Sequence, residues 1–235
     1  MANTATTRQT EHTQVMVNSF IRSVYNWMAF GLALTGGVAF FTAHNPTMQQ
    51  LIFGTPMVFF GLIIAELGMV FYLSARIQKM EASTATGLFL LYAAVNGLTL
   101  SFIFLVYTGT SIAQVFFICA ATFVACSIFG MTTKRDLTSW GNFLFMGLIG
   151  IIIASVVNIF MQSAAMQMII SYIGVLVFVG LTAYDTQKLK NMAMTQPADI
   201  GAGVVRKGAI MGALSLYLDF INLFIMLLHI FGSRE

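Results

Sequence analysis

Residues 214–224 read LSLYLDFINLF, eleven positions with a single charge, Asp219, near their centre. The nearest cations, Lys207 and Arg234, are twelve and fifteen residues away, beyond the reach of neighbouring helical turns. A stretch this apolar belongs in hydrocarbon. A carboxylate at a helix centre costs about 2.5–3.5 kcal/mol on insertion scales, so such groups usually face a polar interior or carry a function. The segment therefore reads as a membrane span built around an acid.

Composition extends that reading to the whole chain. Of 235 residues, 58% are hydrophobic and 8% charged, against about 25% charged in an ordinary soluble domain. Apolar runs of about 18 residues or more read as spans, because about 20 residues at 1.5 Å rise cross a ~30 Å hydrocarbon core. Seven such runs occur, at roughly 24–43, 51–74, 85–107, 112–132, 141–161, 167–187 and 208–231. The expected fold is all-α, a polytopic membrane protein with seven transmembrane helices. The expected organisation is a polar cytoplasmic tail at 1–23, a transmembrane domain at 24–231 and a short C-terminal tail at 232–235. The first 23 residues have no apolar core and do not read as a signal peptide. Cys119 and Cys126 are seven apart on one helix, which sets their Cα atoms about 10 Å apart, beyond disulfide reach.

Cation placement gives an orientation. Arg8, Arg22, Arg76, Lys79, Lys134, Arg135, Lys188, Lys190, Arg206 and Lys207 all fall on one side of the seven-span scheme, and Arg234 alone on the other. The cation-rich side is expected to be the cytoplasm. The N-terminus then lies inside and the C-terminus outside a cytoplasmic membrane, provided the seventh segment spans rather than re-enters.

Three acids fall within the spans: Glu66, Asp185 and Asp219. Counting from the flanking cations at 1.5 Å per residue, Asp219 lies ~18 Å and Glu66 ~15 Å deep, both near the midplane. Asp185, three residues before Lys188, is shallow unless the sixth helix continues past Lys190 with its lysines snorkelling. In the seventh helix Gly208, Gly212, Ser215, Asp219 and Asn222 follow spacings of 4, 3, 4 and 3 and share a face. That small, polar stripe, continued by Met226 and His229, is expected to press into the bundle along its axis. Each acid has a plain alternative as a hydrogen-bonded packing residue, satisfied by Ser215, Asn222, Asn96 or Asn158. Two carboxylates brought together in a low dielectric cannot both ionise cheaply and tend to share a proton. Such a pair senses pH, and when ionised it offers part of an oxygen site to a cation.

LSLYLDFINLF and GLTAYDTQKLK (180–190), with WGNFLFMGLIG (140–150) and TTKRDL (132–137), resemble the hallmark segments of the Bax inhibitor-1, or transmembrane Bax-inhibitor-motif, family in its bacterial branch. The resemblance covers nearly all the chain beyond the N-terminal tail. It implies six helices around a central seventh and a pH-sensitive passive Ca²⁺ leak gated by an aspartate pair. The matching positions are Asp185 and Asp219, which would meet Ca²⁺ weakly and transiently, and Arg76 is the nearest match to an arginine associated with the pair. Glu66, Ser215 and Asn222 are further candidates for the pathway. The resemblance implies no cofactor, with Ca²⁺ and protons as the species handled.

Some bacterial members restrain a membrane-anchored ATP-dependent protease, and no residue of this chain marks that role. A non-transporting regulator with such a protein partner therefore stands as a second reading. A third, an intramembrane aspartyl protease, finds Tyr184-Asp185 for one half of its motif but neither glycine before Asp219. The five lysines fall in predicted loops, which argues against a retinal protein. His12, His44 and His229 are scattered, and no Gly-rich phosphate loop appears. No enzyme activity is expected.

Overall fold

The computed structural model describes residues 2–197 and 200–234. Among the described residues, nine α-helices follow one another: α1 (Ala2–Ala43), α2 (Pro46–Phe53), α3 (Pro56–Arg76), α4 (Ala82–Leu100), α5 (Ile103–Val106), α6 (Gly109–Thr132), α7 (Thr138–Met161), α8 (Ala164–Thr195) and α9 (Ala202–Phe231). Among the described residues, extended pairing is confined to one isolated bridge, Tyr107 with Arg234. Seven stretches are long and apolar enough to cross a membrane. The chain is an all-α polytopic membrane protein.

Boundaries differ from the sequence reading where local chemistry intervenes. The second span starts at Pro56 rather than near 51, because 51–53 belong to the short helix α2. The Asn45 carboxamide caps α2 by accepting from the backbone N–H of Thr47 and Met48, and Gly54 closes it. Pro56 then opens α3, as expected of proline in a first helical turn. The polar N-terminal segment is helical and continuous with the first span, which covers Val15–Ala43. Helix α8 runs on to Thr195, so Lys188 and Lys190 are helical residues, as is Lys207 in α9. The expectation that every lysine sits in a loop is corrected: these helices outlast the apolar run, and the cations lie within about two turns of their ends.

Two compact units make up the chain. The first comprises Met1–Leu105 with Leu189–Tyr217, the second Val106–Lys188 with Leu218–Glu235. In the first, α1 lies against α4 through glycine: a Cβ on Gly97 would come within 2.7 Å of the Thr35 carbonyl oxygen. The opening half of α9 packs on α1, with Gly212 facing Val24 and Leu189. In the second, α6 meets α9 through Phe116 and Phe123, whose rings lie 5.6 and 5.4 Å from that of Phe220. Gly130 brings α6 onto the backbone of α8 at Ala183, and Gly141 and Gly180 fit α7 to α8. Small residues serve here because lipid tails are as apolar as leucine, leaving close packing and hydrogen bonds to hold helices together.

Helix α9 is the most enclosed span: 56% of its most apolar window is buried, against 6% for α3. Burial runs around α9 instead of following the polar stripe alone. Leu214, Leu216 and Leu223 are as buried as Gly212 and Asp219. That is the pattern of an inner helix.

Candidate functional site

Asp219 lies in the middle of α9 and is only 5% exposed. No hydrogen-bond donor among the described residues reaches its Oδ2. Its helical neighbours do not supply one: the Asn222 carboxamide donates to the Leu218 carbonyl at 2.8 Å, and Ser215 is half-buried one turn earlier. A buried carboxylate oxygen without a donor is costly in a protein interior and more so at membrane depth.

Asp185, in the same unit, lies ten residues before the end of α8 and is half-buried. The extension of α8 past Lys190 is the condition under which the sequence reading moves Asp185 deeper. Helices α8 and α9 run antiparallel in this unit, with Gln167 bonded to His229 and Gly174 against Met226. From the Gly174–Met226 level, Asp185 is eleven residues along α8 and Asp219 seven back along α9. Counted from these two contacts, the pair is staggered by about 6–12 Å, one to two turns. They are within electrostatic reach of each other, and Lys188 is within reach of Asp185.

Helix α6 completes the surroundings. Cys119, Phe123, Ser127 and Gly130 share one of its faces by spacing. The Cys119 thiol approaches the Phe220 carbonyl at 3.7 Å, and a Cβ on Gly130 would lie 3.1 Å from that of Thr186. Ser127 sits between these levels, buried, with its hydroxyl unpaired among the described residues. Sequence reasoning missed it, although the repeat at 119, 123, 127 and 130 was available as a signal. Both cysteines are free.

Glu66 meets a different fate in the first unit. It is half-buried on α3 and accepts from the Thr99 hydroxyl at 2.7 Å and the Asn96 carboxamide at 3.2 Å. The Asn96 oxygen in turn accepts from the Tyr217 hydroxyl at 3.0 Å, which lies 2.6 Å from that of Thr35. Thr35 donates to the Ala93 carbonyl at 2.8 Å. Of the asparagines proposed as partners for the acids, Asn96 takes that role for Glu66. Asn158 instead bonds Gln167 and the backbone of Ser163. Arg76 is exposed as the last residue of α3 in the first unit, whereas both aspartates belong to the second.

Among the described residues, no group of three or more His, Cys, Asp or Glu gathers to hold a metal ion. Two carboxylates offer at most about four of the six to eight oxygens Ca²⁺ takes, so water would supply the rest.

A family model described as inhibitor of apoptosis-promoting Bax1 matches residues 17–235. The chain is 53% identical to inner membrane protein YbhL of Escherichia coli K12 over 219 residues, 93% of each chain. It is 46% identical to an uncharacterised protein of Rickettsia prowazekii, over 92% of this chain and 90% of the relative. A third relative, an uncharacterised protein of Deinococcus radiodurans, is 41% identical over 93% and 92%.

Proposed function

The chain belongs to the Bax inhibitor-1 family, and within that family we propose that it is a passive cation leak, with Ca²⁺ as the permeant ion, gated by proton occupancy of Asp185 and Asp219. One observation carries the reading: the Asp219 carboxylate is buried at mid-span with an oxygen that finds no donor, within electrostatic reach of a second aspartate. A purely structural acid would be satisfied, as Glu66 is. A buried carboxylate oxygen left without a donor suits a group whose partner is transient, either a proton or a cation. Protonation of the pair, with Lys188 the cation facing Asp185 and Ser127 on the neighbouring face of α6, would shift the packing of α8 against α9. The protein works in this reading without chemistry on a substrate and without a resident cofactor.

The name of the Escherichia coli relative and the cation asymmetry support placement in the inner membrane, with the cation-rich loops cytoplasmic. Ions would then run down their gradient into the cytoplasm.

Proteoliposomes loaded with a Ca²⁺ dye test the proposal. Flux is expected to vary from about pH 5 to about pH 8, and Asp219→Asn is expected to abolish that variation. Unchanged flux in Asp219→Asn, or none at any pH, would favour a non-transporting regulator that acts through a protein partner such as a membrane-anchored protease.

A further inference from the structure

The first unit holds a cavity of about 580 Å³ between the beginning of the first span and the beginning of α9. Phe20, Trp27 and Val205 form its apolar wall, Ser23 and Gln196 add polar groups, and among the described residues Arg206 is the one charged residue lining it. Its position is interfacial. Ser23 and Trp27 bracket the start of the strongly apolar run at 24–43, and Arg206 lies in the second turn of α9.

Arg206 is held in place. Its Nε donates to the Thr86 hydroxyl at 3.2 Å, and its guanidinium carbon lies 5.6 Å from the centre of the Trp27 ring. Neither interaction neutralises the charge, and no carboxylate among the described residues pairs with it. The neighbouring Lys207 is tied back, with its ammonium donating to the Gln78 carbonyl at 3.0 Å. Arg22, one turn before Trp27 on α1, is exposed. A preorganised guanidinium presents paired N–H donors that match two oxygens of a phosphate. Tryptophan favours the headgroup level of a bilayer, and basic pockets between spans recognise anionic headgroups.

We propose that this cavity binds one anionic phospholipid, with its phosphate on Arg206 and the root of its acyl chains along Phe20 and Trp27. A free inorganic anion would gain nothing from the apolar wall. A choline headgroup would set its own cation beside Arg206.

Thermal unfolding of the purified full-length protein in detergent tests this, with phosphatidylglycerol, phosphatidylcholine of the same acyl chains, or inorganic phosphate added. Phosphatidylglycerol is expected to raise the midpoint by several degrees through binding to the folded state, and the other two to leave it almost unchanged. Arg206→Gln is expected to lose most of that shift. Ser23→Trp, which fills the cavity without altering charge, is expected to lose it as well and carries the test if Arg206→Gln does not fold. Equal stabilisation by phosphatidylcholine, equal stabilisation by inorganic phosphate, or a full shift retained in a folded variant would each overturn the proposal.

Discussion

Tyr217 and Asp219 are two residues apart in α9, and both are buried. The tyrosine hydroxyl has partners on α1 and α4, whereas the aspartate Oδ2 has none. Tyr217→Phe strands the Asn96 oxygen and is expected to cost about 1–3 kcal/mol, read as a lower thermal midpoint in detergent. Asp219→Asn keeps the shape and removes a group that is expensive to charge at that depth. Its midpoint is expected not to fall, and a loss larger than that of Tyr217→Phe would show that Asp219 is a structural acid. Outside the spans, Asp136 accepts from both the backbone and the hydroxyl of Thr138, which hold its carboxyl below the ordinary range. Its small contribution is therefore present above the usual carboxylate pKa and fades as pH falls through the lower folded value. An NMR titration of Asp136 checks the direction, and Thr138→Val should move its midpoint back up. The residue types were legible in the sequence. The distinction between Tyr217 and Asp219 was not, because it depends on side chains from other helices.

Among elements, the glycines separate tight from open contacts. A Cβ on Gly130 would fall onto the Ala183 carbonyl oxygen, which is backbone and cannot swing away, while one on Gly150 would meet nothing within 4 Å. Gly130→Ala is expected to push α6 off α8 at a cost of about 1–3 kcal/mol. Gly150→Ala is expected to stabilise α7 by about 0.5–1 kcal/mol through helix propensity. Thermal midpoints of the two variants, measured side by side, decide whether backbone approach or propensity governs. Sequence alone treats these glycines alike. Helix ends also divided by cause. Asn45, Gly54 and Pro56 mark the break around α2 through local chemistry. The run of α8 to Thr195 was left open, because an apolar count stops at the first lysine while the backbone hydrogen bonds do not.

For the whole molecule, α9 is one unbroken helix of 30 residues, about 45 Å long at 1.5 Å per residue, against a ~30 Å core. That length is enough for a full span. Its far end is tied to the α5–α6 connection: Thr108 donates to the Ser233 carbonyl, and Ser233 donates to the Ser111 hydroxyl. Single cysteines at Gln196 and Ser233, in a background without Cys119 and Cys126, should therefore react with an impermeant maleimide from opposite faces of the membrane. Labelling of both from one face would refute the full span. The number of spans, the all-α class and the family were readable from the chain because apolar length and short motifs are local properties. Which acid has hydrogen-bond donors and which has an oxygen without one is set by packing. Glu66 finds Thr99 and Asn96 some thirty positions away, and Tyr217 reaches Asn96 across 121. A hydrogen-bond partner that distant exists only once the helices have docked.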